Sequence, residues 1–401
     1  NSFQTALFGC LLRRALSKRK KADMMFLSED IPMKADGSTQ ISNDKIYWIE
    51  CIRVFSAFLV VMQHSISGVW TTLSPETPEW KIINLLFLFS RCGVPVFFMC
   101  SGMGMLAKER SIESVYKKNI AGILKIYVLW MLVYGVRDSI NLVREGLGSF
   151  RTIRNAFLKD IIFGQYHTWF IMTLLGLYLI TPLLYEIVKR EKLLHYFVVL
   201  SIVFTVILPL AGEISGFGRL HDTFETINMR FVTGYVMYYV LGYWLSQITW
   251  PQRRTYSISV KGRSLFATYT VSRKKAGIIT ALLLAGSSLC AYILSNMISA
   301  ASGEANQRVY GEFAPLGLLI NVSLLMLFKI LIASEKHRKF ITVLGRCGTG
   351  IYLMHPLLLP MASLFPGIGR IFGGIVVYLT ALVICLILDK VKETLLRKRD
   401  L

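Results

Sequence analysis

The sequence contains about ten apolar runs, each long enough to cross a lipid bilayer, whose hydrocarbon core of about 30 Å requires roughly 20 residues of helix. With 54% hydrophobic and 17% charged residues and a mean hydropathy of +0.52, the chain is too apolar for a soluble fold. The sequence therefore predicts an all-α polytopic membrane bundle. The runs lie at about 48–68, 82–106, 119–142, 169–188, 193–213, 229–250, 276–300, 313–333, 340–362 and 370–390.

The positive charge of the chain is distributed unevenly along it. Lys and Arg number 45 against 24 Asp and Glu, which gives a net charge of +21. If the N-terminus starts in the cytoplasm and the spans alternate, most bases fall on the cytoplasmic side, as the positive-inside rule requires. Both termini are then cytoplasmic. The basic segment 251–275 becomes a cytoplasmic loop that attracts anionic lipid, so we predict a bilayer partner and no nucleic acid.

The predicted organisation is one membrane domain with a short tail at each end. We interpret residues 1–45 as a flexible basic cytoplasmic tail or an over-long N-terminus, because they are polar and charged. Residues 46–392 form the transmembrane domain, and residues 393–401 form a second basic cytoplasmic tail. The 7 cysteines are scattered along the chain, so we expect neither a disulfide framework nor a metal site.

Two ionisable side chains lie on one face of the first predicted span. Arg53 and His64 are eleven residues apart, about three helical turns and about 16 Å along the axis. This spacing puts a permanent cation near the cytoplasmic end and a proton-exchanging imidazole in the outer half. Ionisable groups inside a span are costly and indicate function. The structural alternative is that Arg53 snorkels to the headgroups and His64 hydrogen-bonds within the bundle.

Other polar side chains are predicted at the middle and outer depth of the bundle. Arg91 lies too deep in the second span to snorkel easily, and a structural role, bridging to backbone freed by the nearby proline, is the alternative. His167 opens the fourth span, where Trp169 has the ordinary interpretation of an interfacial anchor. His355 lies in the ninth span. Because these groups share one layer with His64, we predict a site there.

The order and spacing of these segments resemble the acyltransferase-3 family of polytopic membrane O-acyltransferases. Residues 46–49 and the stretch that begins at Arg91 look especially like the enterobacterial common antigen O-acetyltransferase branch. The resemblance runs from about residue 46 to about residue 390. The matching positions are Arg53, His64, Arg91, Phe97 to Gly102, His167 to Phe170, and Tyr352 to Pro356.

Membership would imply a multi-pass enzyme of the bacterial cytoplasmic (inner) membrane. Its donor would be cytoplasmic acyl-CoA, usually acetyl-CoA, and its acceptor a hydroxyl of an envelope polysaccharide, glycolipid or lipid-linked sugar. The resemblance gives essential roles to Arg53 and His64, and we predict that His64 is the general base. One departure is that many members carry Arg-x-Arg where this chain has Lys117 and Lys118, which meet phosphate only as point charges.

The remaining candidates are assigned to the substrates. Arg53 is expected to meet the donor's phosphate or polar arm, and Arg91 to stabilise the oxyanion. Ser101 leaves a covalent acyl-enzyme open, although Ser-Gly in a helix more often serves packing. A secondary transporter of a glycan precursor or small anion is the alternative function. The predicted substrate-binding residues are His167, Trp169, Tyr352, Ser101, Lys117, Lys118 and His355, of which the last could instead pair with His64.

Overall fold

The computed structural model describes residues 39–213, 226–250, 252–260, 263–332 and 338–397. The predicted tails, residues 1–45 and 393–401, lie outside these ranges except at their inner ends. There, helical backbone covers residues 39–45 and 393–397.

In the first half of the chain, the regular elements of the described residues are helices. A short helix (Ile112–Ser114) and a π-helical turn (Val115–Ile120) lead into the fourth main helix, and the seventh continues through a second π-helical turn (Val203–Ile207) into Leu208–Glu213. The main helices are α1 (Thr39–Thr72), α2 (Pro78–Ser90), α3 (Gly93–Met105), α4 (Ala121–Arg144), α5 (Phe150–Phe163), α6 (Trp169–Val188) and α7 (Glu191–Ile202).

The second half adds five helices and two strands within the described ranges. Short 3₁₀ turns at Arg308–Tyr310 and Gly367–Gly369 precede the tenth and twelfth helices. The elements are α8 (Tyr235–Ser246), β1 (Gln252–Val260), β2 (Arg263–Val271), α9 (Arg273–Ser302), α10 (Pro315–Leu331), α11 (Arg338–Ala362) and α12 (Arg370–Arg397).

Seven segments of the described chain are long and apolar enough to cross a membrane. The other three predicted runs correspond to α8, α10 and α11; α8 has 12 residues and α10 has 17, and both are short for a span. The total of ten spans and the sides on which the termini lie remain predictions. The seven segments are Tyr47–Thr72, Pro78–Met105, Ile112–Arg144, Trp169–Val188, Glu191–Gly212, Arg273–Ser302 and Gly367–Lys392.

The predicted all-α bundle is confirmed for the membrane helices, and the basic segment 251–275, which we predicted to be a cytoplasmic loop between spans, contains the two strands. There β1 and β2 pair antiparallel, with Gln252 opposite Val271 and Val260 opposite Arg263. The sequence signal is the alternation of polar and apolar residues from Ser257 to Val260, followed closely by a glycine, which is typical of a hairpin.

The second predicted span is two helices, α2 and α3, which separate at Arg91 and Cys92. Pro95 falls in the first turn of α3 and has no N–H to donate to the carbonyl of Arg91, so helical bonding cannot run through this point. The backbone N–H of Arg91 instead caps α2 by donating to Phe87. The break places the Arg91 side chain at a helix junction rather than along a smooth helix face.

Helices α3 and α8 approach closely through two glycines. A Cβ on Gly102 would overlap the backbone of Tyr239, and a Cβ on Gly242 would overlap the backbone of Met99. Small residues permit such close contact between helices in a membrane. Gly102 therefore serves helix packing, which is the structural interpretation of the Ser-Gly pair.

A buried amide joins α2 to α1 and α9. The Oδ1 of Asn84 accepts hydrogen bonds from the Trp70 indole (2.9 Å) and the Tyr310 hydroxyl (2.7 Å). Its Nδ2 donates to Ser295 (3.2 Å) and Asn296 (3.0 Å). Both hydrogens and both lone pairs of the amide are used, so Asn84 fixes these elements relative to one another.

Candidate active site

Three histidines from separate parts of the chain meet inside the bundle. His64 lies on α1, His167 lies just before α6, and His355 lies on α11. The ring centroids of His64 and His355 are 5.1 Å apart, and those of His167 and His355 are 6.1 Å apart. His167 and His355 are buried, whereas His64 is half-buried. The structure brings these three predicted site residues together, and their individual roles remain predictions.

Pro356 determines which ring nitrogen of His355 carries the hydrogen. In a regular helix the N–H of residue 356 would donate to the carbonyl of Tyr352, but proline has no N–H. The Nδ1 of His355 lies 2.6 Å from that carbonyl oxygen. Because a carbonyl only accepts, Nδ1 is the donor and Nε2 keeps its lone pair. That Nε2 is buried and has no hydrogen-bond partner in the described part of the chain.

His167 is held through its backbone rather than through its ring. Its carbonyl oxygen accepts a hydrogen bond from the Tyr352 hydroxyl, and the Tyr134 ring lies 5.1 Å from its imidazole. Both ring nitrogens are buried and have no hydrogen-bond partner among the described residues. Buried polar atoms normally have partners. The described residues therefore leave these two nitrogens and Nε2 of His355 buried without hydrogen-bond partners.

Arg91 is paired with a residue that the sequence did not reveal. It forms an ion pair with Glu312, whose other carboxylate oxygen accepts a hydrogen bond from Tyr235 at 2.9 Å. The ring of Trp169 lies 5.3 Å from that of Tyr235. In the sequence Glu312 is an ordinary acid between two apolar runs. Its only signal is indirect, because a deep Arg91 requires a counter-charge.

Arg53 is a buried, paired cation. It contacts Glu50, one turn earlier on α1, at 2.8 Å, and it lies within hydrogen-bonding reach of Cys100 on α3. Gly345 on α11 leaves room for the Glu50 carboxylate, since a Cβ there would overlap it. Arg53 and His64 share one continuous helix, as predicted. A contact between Arg53 and the donor remains a prediction.

A polar network fixes the segment between α5 and α6. The side-chain amide of Gln165 donates to Asp138 at 3.0 Å and to Asp160 at 2.9 Å. Arg137 pairs with Asp138 at 2.5 Å and lies 4.8 Å from the centre of the Tyr134 ring. Burial raises the pKa of the Asp160 carboxyl to about 6, and the nearby Asp138 adds to the rise. The sequence did not reveal this network, because each member alone is an ordinary polar residue.

A narrow apolar cleft leads away from the histidines. Tyr352 belongs to its wall and to the histidine group, whereas Ile123 lies five residues after Lys118, about one and a half helical turns along the chain. The cleft therefore lies beside the histidine group at Tyr352, and part of its wall comes from the third span, shortly after the lysines. Its walls are formed by Phe97, Ile123, Ile126, Phe170, Ile171, Leu174, Gly348, Thr349 and Tyr352.

Comparison with known families gives one match. The acyltransferase-3 model, described as an acyltransferase domain, matches residues 46–390. The chain belongs to the acyltransferase-3 family. Family membership implies acyltransferase activity in a multi-pass membrane protein, as the resemblance led us to expect. The branch that modifies enterobacterial common antigen remains a prediction, and neither a curated protein nor a solved structure matches the chain.

The other candidates of this acyltransferase-3 protein lie apart from the three imidazoles. Lys117 and Lys118 are exposed, and Lys117 pairs with Glu113 at 2.5 Å. Ser101 is buried, and its hydroxyl has no hydrogen-bond partner in the ranges that the structure describes.

Proposed function

We propose that this acyltransferase-3 protein is a membrane O-acyltransferase that moves an acyl group, most often acetyl, from cytoplasmic acyl-CoA to a hydroxyl of an envelope polysaccharide or glycolipid. The same proposal places it in the bacterial inner membrane. Family membership supports the acyltransferase reaction. The observation that carries the rest is the contact of half-buried His64 with His355, beside buried imidazole nitrogens without partners among the described residues.

In the proposed reaction His64 is the general base. It takes the proton of the acceptor hydroxyl as that oxygen attacks the thioester carbonyl, so that a C–O bond forms and the C–S bond breaks. The resulting imidazolium returns the proton to the leaving CoA thiolate. His355, whose ring centroid is 5.1 Å from that of His64, is proposed to hold the His64 ring in orientation by accepting a hydrogen bond at Nε2 when the substrates are bound. His167 is proposed to bind an acceptor hydroxyl.

Arg91 is proposed to stabilise the negative charge that develops on the thioester oxygen. It is close enough to His64 for their charges to interact. Its pairing with Glu312 uses one terminal nitrogen, whereas its Nε is buried without a hydrogen-bond partner in the described chain. A preorganised N–H donor of this kind favours the oxyanion more than the neutral carbonyl.

The apolar cleft is proposed to receive the donor's extended arm. It is lined mainly by apolar side chains such as Ile126 and Leu174, which suit a thioester chain better than a charged group. Lys117 and Lys118 are exposed at the end of the third span that we predict to be cytoplasmic. There they would meet the phosphates of acyl-CoA as point charges.

The test measures CoA release from acetyl-CoA by the purified protein in liposomes, with an envelope glycan fraction as acceptor. His64→Gln should lower the rate by roughly 10²- to 10⁴-fold, the usual contribution of a general base. His195→Gln is the matched control, because His195 is an exposed histidine on α7 whose ring packs against Trp244. If wild-type liposomes accumulate a labelled glycan precursor and release no CoA, the transporter alternative replaces this proposal.

A further inference from the structure

Tyr166 presents an exposed ring beside the proposed base. The residue is 61% exposed, although its ring centroid is only 5.7 Å from that of His64. The same ring lies 5.2 Å from buried His167. The rings meet at 70° and 73°, so neither imidazole is stacked on the tyrosine. Tyr166 is therefore exposed and in contact with two of the three site histidines.

The position of Tyr166 is set by its chain segment. The preceding Gln165 is anchored to Asp160 by its side chain, and its carbonyl accepts a hydrogen bond from the Thr168 hydroxyl at 2.7 Å. Gly164 has φ +72°, a conformation that favours glycine, and a Cβ there would also meet Thr168. The backbone is therefore fixed both before and after Tyr166, and the exposed ring is held in a defined position.

Interfacial tyrosines commonly serve as membrane anchors, so that role must be weighed first. An anchor needs no contact with a catalytic group, whereas Tyr166 contacts two imidazoles. The nitrogens of His167, which is 1% exposed, are buried without partners within the described residues. An exposed aromatic surface next to unfilled polar positions is the arrangement that a sugar ring requires, with its C–H face on the aromatic and its hydroxyls at the rim.

We infer that Tyr166 is the surface on which a pyranose ring of the acceptor stacks, so that a ring hydroxyl is delivered to His64. This inference rests on the proposed function and deepens it, because it assigns acceptor specificity to one residue. It also defines the acceptor class as a sugar ring with one apolar face. A flexible polyol without a ring would gain nothing from Tyr166.

The experiment compares two acceptors, methyl α-glucopyranoside and glycerol, in liposomes that contain the purified protein and labelled acetyl-CoA. Tyr166→Ala should raise the KM for the pyranoside by roughly 10-fold, the scale of a lost aromatic stacking contact. The rate with glycerol and the KM for acetyl-CoA should not change, and Tyr166→Trp should retain the preference for the pyranoside. Tyr196→Ala is the matched control, because Tyr196 on α7 is 62% exposed.

The possible outcomes distinguish a failure of the role of Tyr166 from a failure of the proposed acyl transfer. An unchanged ratio of pyranoside to glycerol transfer in Tyr166→Ala would overturn the inference and leave acyl transfer intact. The inference also fails if wild type does not distinguish the two acceptors, or if the variant loses thermal stability and acetyl-CoA affinity together, as an anchor would. A wild-type protein that releases no CoA from acetyl-CoA would overturn both the inference and the proposed function.

Discussion

The Nδ1 of His355 lies 2.6 Å from the carbonyl oxygen of Tyr352, where a regular helix would place a backbone N–H. The next residue, Pro356, is the reason that this carbonyl lacks its helical donor. The hydrogen bond that α11 lacks at the proline therefore also fixes the tautomer of the His355 imidazole. Because proline has no N–H, the helix lacks one backbone hydrogen bond. The Nδ1 of the histidine donates that bond instead and is then not available to a substrate.

Replacing Pro356 with alanine should separate stability from activity. The restored N–H can take the Tyr352 carbonyl, so the tautomer of His355 is no longer fixed. We expect equal or higher thermal stability, because proline within a helix is unfavourable, but roughly 10-fold slower CoA release, the scale on which lost orienting hydrogen bonds act. Pro360→Ala in the same helix is the control and should not slow the reaction. Equal rates for both variants would contradict this account of His355.

Glu312 should matter through its charge. Glu312→Gln keeps an oxygen that can accept from Tyr235 but leaves Arg91, whose side chain is 18% exposed, without a counter-charge. We expect a loss of about 1–3 kcal/mol in the free energy of unfolding, measured by denaturation in detergent. Combining Glu312→Gln with Arg91→Gln should cost less than the sum of the single changes. Strictly additive costs would show that the two side chains act independently.

Asp160 should make stability depend on pH in a defined window. Its pKa is raised by burial from 3.8 to about 6, so the folded state binds the proton more tightly than the unfolded state. The stabilisation is therefore complete below the unfolded pKa and is lost as the pH rises through 6. Asp160→Asn removes the titration and keeps an oxygen for Gln165. Subtracting the two melting midpoints cancels the other titrating groups.

The expected difference in melting midpoint has a clear sign. Above the folded pKa of Asp160, about 6, Asp160→Asn should melt higher than wild type, because it carries no buried charge. Near the unfolded pKa the two midpoints should approach each other. A constant difference across the range would mean that Asp160 titrates alike in the folded and unfolded states.

The crossing of α3 and α8 should not tolerate even one methyl group on either glycine. Gly102→Ala would drive a Cβ into the backbone of Tyr239, and overpacking of this kind costs about 1–3 kcal/mol of unfolding free energy. Gly176→Ala on α6 is the control, because a Cβ there meets nothing within 4 Å. Removing that glycine should stabilise the helix by up to about 1 kcal/mol. Thermal unfolding in detergent measures both, and equal effects would contradict the crossing geometry.

The parts of this structure that the sequence predicts are those encoded in consecutive residues. Span length and hydropathy locate the helices, and the eleven-residue spacing on α1 puts Arg53 and His64 on one face. That the histidines share one layer follows from their depth along the first, fourth and ninth predicted spans. Depth is readable because a membrane restricts each helix to nearly one direction, which turns a position in the sequence into a level in the bundle.

The parts that the sequence does not predict depend on partners distant in the chain. The role of Glu312 depends on its ion pair with Arg91, which is 221 residues away in the sequence. The role of Gln165 depends on its hydrogen bonds to Asp138 and Asp160, which are brought to it by folding. The sequence does not indicate a role for Tyr166 for a similar reason, because a tyrosine before a span has the same pattern as any interfacial anchor. Only the folded neighbours distinguish it.

Because Glu50 and Arg53 form an ion pair, their charges cancel within α1. The effect of replacing either residue therefore includes the effect of leaving the other one unpaired. Arg53→Ala removes a cation and at the same time uncovers a buried anion, because Glu50 is itself only 5% exposed. An unpaired carboxylate in that setting favours distortion or proton uptake. The variant that removes the Arg53 cation without uncovering a buried anion is therefore Arg53→Gln combined with Glu50→Gln, which leaves the net charge of the helix at zero.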